Sequence, residues 1–259
     1  MTALLTTSAA EITAWIGMLW WPFVRLSAFL WAMPVFDNPA ITPRSRILLA
    51  FFLAFVLAPQ QPPMPEVDPF SLLSALITAE QVLFGVIMGL ALRMLFEVLS
   101  QAGLILSMQM GLSMAVVMDP GSGNQMSLLG NLFWLMAALL FFAINGHLVT
   151  LQVLVDSFSL WPVGKALYSL DFTGIVALFG WVYASALLVA LPAVIAMLMV
   201  NMTFGIASRA APSLNLFVLG FPMALLMGFV CVFLTISQTA SVFSDLVFHV
   251  LGTMRAVME

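Results

Sequence analysis

The side chains of this sequence that could do chemistry are charged groups set inside long apolar stretches. They are Arg25, Glu80, Arg93 and Glu97, each flanked by predominantly apolar residues. A charge in lipid is costly and usually pairs, faces the interior of a helical bundle or marks a conduction path. Arg93 and Glu97 are four residues apart, on one face of a helix, so they can pair with each other. A structural pair is therefore the favoured interpretation, and a charge that lines a conduction path is the alternative.

Arg25, Glu80 and His147 are interpreted one by one. Arg25 lies in the middle of the first apolar run, where its side chain is expected to snorkel to the interface or to pair with a partner subunit. Glu80 is expected near a membrane interface. His147, between Gly146 and Leu148, could relay protons, but a lone histidine beside Asn and Gly is more often packed and hydrogen-bonded.

Enzyme signatures are absent from the sequence. It contains no H-E-x-x-H, G-x-S-x-G or G-x-x-x-x-G-K-[ST] pattern and no cluster of Cys or His that could hold a metal. His147 and His249 have no motif-level partner for a nucleophile. The sequence therefore predicts a protein without catalytic activity, metal or cofactor.

Composition indicates where these residues reside. Of 259 residues 63% are hydrophobic and 7% charged, whereas about a quarter of a soluble domain is charged. So few polar groups cannot cover a globular surface, which predicts an integral membrane protein in contact with lipid. The net charge of -4 and the scattered basic residues make nucleic acid an unlikely partner.

The apolar residues form runs that predict an all-α membrane protein of about six hydrophobic helical segments, some broken or short. About 20 residues cross a bilayer core. The second run has only twelve residues, and the third is so long that it is expected to bend or break near Gly103 or Gly111. Within residues 238–259 the apolar side chains recur at three- and four-residue steps, which predicts a C-terminal amphipathic helix. The six runs are residues 12–36, 47–58, 70–118, 128–155, 172–204 and 214–236.

Irregular features inside these runs narrow the class of membrane protein. Besides the short and the overlong run, Pro192 lies inside the fifth, and "NGH" at Asn145 to His147 interrupts the fourth. Unpaired backbone groups are tolerated at membrane depth only where protein covers them or where they line a water-filled path. The sequence therefore indicates a channel, a transporter or a subunit of a larger complex.

Methionines cluster at the end of the third run, at positions 108, 110, 114 and 118. Thioether side chains adapt their shape without polar demands, so they suit either a constriction or simple core filling. The surrounding Gly, Ser and Gln residues, in "SMQMGLSMAVVMDPGSGNQ", are typical of a non-helical loop rather than of a plain span.

Lysine and arginine near the segment ends weakly favour an orientation with both termini on the outer face. In that arrangement Arg44, Arg46, Arg93 and Arg209 fall inside, and Lys165 and Arg255 fall outside.

Four stretches, in order along nearly the whole chain, resemble the FliR family (FliR/SpaR/YscT), the export-gate proteins of flagellar type III secretion. They are "RLSAFLWAMPVFDNPAITPRSRI" from Arg25, "QMGLSMAVVMDPGSGNQ" from Gln109, "NGHLV" from Asn145 and "FGIASRAAPSLNLFVLGFP" from Phe204. The last contains R-x-x-P-x-x-N-x-F-x-x-G-F-P, which is far more specific than any single motif above. Ser213 and the pair Asp37-Asn38 depart from the usual family residues. The signature positions are Asp119, Pro120, Gln125, Asn145, Gly146, His147, Arg209, Pro212, Asn215, Gly220, Phe221 and Pro222.

The resemblance implies a non-catalytic subunit that helps form the conduit for unfolded flagellar proteins. It implies a bacterial inner (cell) membrane location at the flagellar basal body, with FliP-like and FliQ-like membrane subunits and an FlhB-like protein as partners. Residues 1–170 would be a FliP-like part, and residues 171–259 a FliQ-like helical hairpin with the amphipathic helix, its tip at 209–215. The implied pore plug comprises Met108, Gln109, Met110, Gly111, Leu112, Ser113, Met114 and Met118.

Two alternatives remain at this point. The same fold serves virulence injectisomes, whose gate subunit would differ in cargo. A secondary transporter using Glu80, Arg93 and Glu97 is the other alternative, although the short second run argues against it.

Overall fold

The computed structural model describes residues 9–36, 41–65, 67–112, 116–118, 125–165, 172–210 and 216–258. Within these ranges the regular secondary structure is helical apart from two three-residue strands, which confirms the predicted all-α class with one small exception. The helices are α1 (Ala9–Ala32), α2 (Pro43–Leu57), α3 (Leu72–Gln109), α4 (Leu128–Ala143), α5 (Gly146–Leu160), α6 (Phe172–Ala210) and α7 (Leu216–Ala256), with a 3-10 turn at Ala58–Gln60.

Local sequence signals explain several helix boundaries. Thr42 caps α2, its side chain accepting a hydrogen bond from the Ser45 amide, and Pro43 occupies the first turn, where its missing N–H is not needed. Ser127 caps α4 in the same way, its Oγ accepting from the Gly130 amide at 3.0 Å. Helix α3 ends at Gln109, where Gly111 takes a left-handed φ of 73° that side chains rarely adopt.

A small antiparallel ribbon lies between α3 and α4 in sequence. Strand β1 (Val116–Met118) pairs with β2 (Gln125–Ser127) so that Met118 faces Gln125 in the register. Residues 116–118 and 125–127 are therefore non-helical, as the Gly, Ser and Gln content of this stretch predicted. Whether this ribbon lies at membrane depth remains a prediction.

Three of the described helices are long and apolar enough to cross a membrane, namely α3, α6 and α7. Helices α4 and α5, separated by a short break, add a fourth span if they count as one bent pair. The short second run is confirmed as the 15-residue helix α2. Helix α1 has the length of a span but is not among the spanning candidates, since its tryptophans, Pro22 and Arg25 lower its mean hydropathy.

The break expected near Gly103 or Gly111 occurs just before Gly111, whereas the boundary expected before the C-terminal tail was wrong. Helix α3 does not break at Gly103, because that glycine packs against α4: a Cβ there would lie 2.5 Å from the Leu129 carbonyl oxygen. The C-terminal amphipathic stretch is not a separate helix either. It continues the sixth run without interruption in the 41-residue helix α7, because no residue between them stops a helix.

The chain divides into two compact units, and each has its own core. The first comprises Met1–Arg93, His147–Val176 and Val250–Glu259, and the second Met94–Gly146 and Ala177–His249. Trp161, Phe84 and Phe29 are fully buried in the first unit. In the second, Phe96 packs edge-on against Phe141 and Phe243, with ring centroids 5.4 and 6.5 Å apart. The predicted division at residues 170 and 171 into FliP-like and FliQ-like parts stays a prediction.

Candidate functional site

The Arg25 guanidinium is fully buried in the first unit, 0% exposed. Its Nε donates to Gln81 Oε1 at 2.7 Å, its Nη1 to Ser157 Oγ at 2.9 Å and its Nη2 to the Trp161 carbonyl oxygen at 3.1 Å. None of these three acceptors is a carboxylate. The Ser157 hydroxyl donates its own hydrogen bond to the Leu154 carbonyl oxygen at 2.6 Å, so its oxygen lone pairs can accept from Arg25.

Aromatic rings complete the enclosure of this cation. The guanidinium carbon lies 4.4 Å from the Phe84 ring centroid and 4.1 Å from that of Phe158. Phe84 also stacks on Trp161 at 4.7 Å with the ring planes nearly parallel. The quadrupoles of the rings attract the cation and replace part of its lost hydration. The group joins α1, α3 and the end of α5.

The structure therefore contradicts both expectations for Arg25. Its side chain neither snorkels to an interface nor remains available to a partner subunit, because neutral acceptors and rings of its own chain surround it. The partners are 56, 132 and 136 residues away in sequence. Ser157, Trp161 and Gln81 carried no signal that the sequence analysis used.

Two glycines allow α1 to approach α3 beside this cluster. A Cβ on Gly85 would lie 2.8 Å from the Ala28 Cβ, and a Cβ on Gly89 would lie 2.5 Å from the Ala32 Cβ. The "GVIMG" spacing thus works as a small-residue packing motif within the chain.

A second cluster lies in the second unit, at the end of α3. Met110 is 1% exposed, although Met108, two residues earlier, is 60% exposed. The Met110 side chain fills the notch left by Gly228 of α7, where a Cβ would lie 2.6 Å from Met110 Cε and 2.7 Å from Sδ. Gly111 faces the Phe221 ring, which would lie 3.4 Å from a Cβ at that position.

This second cluster unites residues that the sequence analysis had placed in separate groups. Met110 and Gly111 were expected in the plug, whereas Phe221 was a family-signature position. Gly228 was missed, since a single glycine in an apolar helix gives no signal. The four residues are apolar and none is titratable, so the arrangement can position a chain and exclude water but cannot transfer protons.

The other predicted plug residues are described only in part. Gln109 is the last residue of α3, and Leu112 follows Gly111 in the turn. Ser113 and Met114 lie outside the described residues, and of Met118 the structure describes the backbone in β1. Their role as a plug stays a prediction.

Four of the remaining signature positions lie at helix ends or in a turn. Asn145 adopts a left-handed φ of 57° between α4 and α5, a conformation that asparagine tolerates. A side chain on Gly146 would collide with Phe141, at 2.6 Å from its ring. His147 is half-buried at the start of α5, and Arg209 is exposed in the last turn of α6.

For the other signature positions, apart from Phe221, the structure gives only the secondary-structure element, or they lie outside the described residues. Gln125 begins β2, and Gly220, Phe221 and Pro222 lie within α7. Asp119, Pro120, Pro212 and Asn215 lie outside the described residues.

The other charges expected inside the membrane, Glu80, Arg93 and Glu97, all lie on α3. Glu80 is half-buried and Arg93 is exposed on α3. Glu97 is half-buried and accepts a long hydrogen bond from Gln101 Nε2 at 3.5 Å. The Arg93–Glu97 pair stays a prediction. Among the described residues no three His, Cys, Asp or Glu side chains come together as metal ligands would.

Comparison with known proteins matches residues 16–250 to the family described as "Bacterial export proteins, family 1". The chain is 32% identical to the flagellar biosynthetic protein FliR of Pectobacterium carotovorum over 87% of this chain and 86% of that protein. It is 31% identical to FliR of Escherichia coli K12 over the same shares. With FliR of Bacillus subtilis it shares 30% identity over 91% of this chain and 92% of the relative. The chain therefore belongs to the FliR family of bacterial export proteins.

Proposed function

We propose that this chain is a non-catalytic subunit of the flagellar type III export gate and that it helps form and seal the pore for unfolded flagellar proteins. The observation that carries the proposal is the apolar end of α3, where Met110 is buried against Gly228 and Gly111 turns the chain beside Phe221. Such a contact can exclude water and ions at rest without any chemical step.

The sealing mechanism is steric. Water and ions are excluded where apolar side chains close a path, and thioether side chains can yield and repack when an unfolded chain passes. The plug comprises Met108 to Met114 together with Met118. No titratable group participates, so the subunit supplies no energy, which must come from partners.

The proposed partners are FliP-like and FliQ-like membrane subunits and an FlhB-like protein in the bacterial inner membrane, at the flagellar basal body. Long apolar surfaces on α6 and α7 support contact with lipid or with other helices, since Leu188, Met199 and Phe233 are 68%, 65% and 74% exposed. The relatives are named as flagellar proteins, which favours a flagellar over an injectisome gate.

The sealing role is tested by deleting Met110 to Met114 in cells that express the complete gate. We expect the deletion to make the membrane leak ions or small solutes, measured as loss of a potassium gradient. Met202→Ala serves as a control, because it removes an exposed methionine of α6 outside the proposed plug. Unchanged permeability in the deletion, with the complex shown to assemble, would exclude the plug assignment.

A further inference from the structure

Helix α7 holds the end of α3 through two positions on one of its faces. Phe221 and Gly228 are seven residues apart, which is about two helical turns, so both point in the same direction. The Phe221 ring lies beside Gly111, 3.4 Å from where a Cβ would stand, and Gly228 receives Met110. Two consecutive residues of α3's end are thus fixed by two stacked positions of α7.

The Gly228 notch exists only because that residue has no side chain. A Cβ there would overlap the Met110 thioether, with Cε at 2.6 Å and Sδ at 2.7 Å, and would also meet its Cγ. Real Cβ atoms do not approach side-chain atoms this closely, so Met110 would have to leave its position. Met110 is 1% exposed, and its flexible side chain can move without displacing any backbone.

A glycine is otherwise unfavourable at this place. Helix interiors disfavour glycine relative to alanine because of its backbone entropy, and Gly228 lies well inside the 41-residue helix α7. Gly252, 24 residues further along the same helix, would meet nothing within 4 Å if it carried a Cβ. Of these two glycines, Gly228 is therefore the one with a steric reason to remain a glycine.

We infer that Gly228 is a positioning residue of the seal: it holds Met110, and Phe221 holds Gly111, so the plug keeps its closed position only while α7 stays in register with the end of α3. This inference rests on the proposed sealing function. It identifies α7 as the element whose movement would release the seal, although α7 lies far from the plug in sequence.

The substitution Gly228→Ala tests this without weakening α7, because alanine favours the helix. Gly252→Ala is the matched control, with the same gain in helix propensity and no contact. The assembled complex is purified from cells for each variant and treated with hydrogen peroxide, which converts accessible methionine to its sulfoxide. Tandem mass spectrometry then separates Met110 from Met108, and ion leak is measured in the same cells.

We expect Gly228→Ala to raise the oxidation rate of Met110 and the leak together, the leak approaching that of the Met110–Met114 deletion. Gly252→Ala should change neither. Met110→Ala should leak as well, and the double variant Met110→Ala/Gly228→Ala should leak no more than either single variant, since both act through one contact.

Two results would overturn the inference: Met110 stays protected in Gly228→Ala, or it becomes reactive while the leak stays at the wild-type level in a complex whose deletion variant does leak. A different result distinguishes failure of the proposed sealing function from failure of the positioning contact. If the deletion itself causes no leak, the sealing role fails, whereas increased Met110 oxidation in Gly228→Ala would still support the positioning contact.

Discussion

Replacing Arg25 by lysine is the most severe test of the first cluster. Lysine keeps the positive charge but lacks the forked set of N–H donors of the guanidinium group. The guanidinium donates to three acceptors in different directions, at 2.7, 2.9 and 3.1 Å. An ammonium group is a compact donor on a flexible stem and cannot occupy all three positions. Arg25→Lys therefore leaves at least one of the three buried acceptors without its donor.

The expected loss of unfolding free energy follows from those hydrogen bonds. A hydrogen bond to a charged group contributes about 1.5–3 kcal/mol, so losing one costs at least about 1.5 kcal/mol of unfolding free energy, and each further bond lost adds a similar amount. The rings at 4.1 and 4.4 Å still attract an ammonium ion, so the cation–π contribution of about 0.5–2 kcal/mol is largely kept.

The assay is denaturant unfolding of the full chain purified in detergent, with the free energy extrapolated to zero denaturant. Arg44→Lys is the matched control, since Arg44 is exposed on α2 and surface substitutions usually change stability by less than about 0.5 kcal/mol. If Arg25→Lys were as mild as Arg44→Lys, the hydrogen-bond account of the buried cation would be refuted.

Three further substitutions test the fold. Gly85→Ala should destabilise the chain by about 1–3 kcal/mol through overpacking against α1, whereas Gly180→Ala, with nothing within 4 Å of its Cβ position, should not destabilise it in the same unfolding assay. Asp156→Asn removes an ion pair with Arg255 (2.6 Å, side chains 36% and 48% exposed). Its cost should stay below about 1 kcal/mol and shrink in high salt, and a larger, salt-independent loss would contradict a surface pair. Ser127→Ala should cost about 1 kcal/mol through loss of the α4 cap, and Ser127→Thr, which retains a hydroxyl, should recover most of it.

Hydropathy and capping residues made much of the fold predictable. The short second run appears as α2, begun by Thr42 and Pro43, and the glycine expected to interrupt the third run at position 111 does end α3. These features depend on neighbours in sequence, so one sequence contains the information. The helix boundary expected between the sixth run and the C-terminal tail was wrong because α7 continues through it.

The two clusters could not be derived in the same way. Arg25 has its acceptors on α3 and at the end of α5, and nothing near it in sequence marks Gln81 or Ser157 as partners. Gly103 looked like a helix breaker, yet it serves close packing against Leu129. A glycine in an apolar helix can either interrupt the helix or allow close packing, and only the neighbouring helix decides which of the two applies.

The account's central claim, that this chain works as one subunit of a heteromeric export gate, is tested most directly by native mass spectrometry. The complex would be extracted in mild detergent from cells that contain the whole flagellar export apparatus. We predict that the 28.1 kDa chain appears in a complex with small helical membrane proteins of the FliP-like and FliQ-like kinds. A monomer, or an oligomer of this chain alone, would contradict the account.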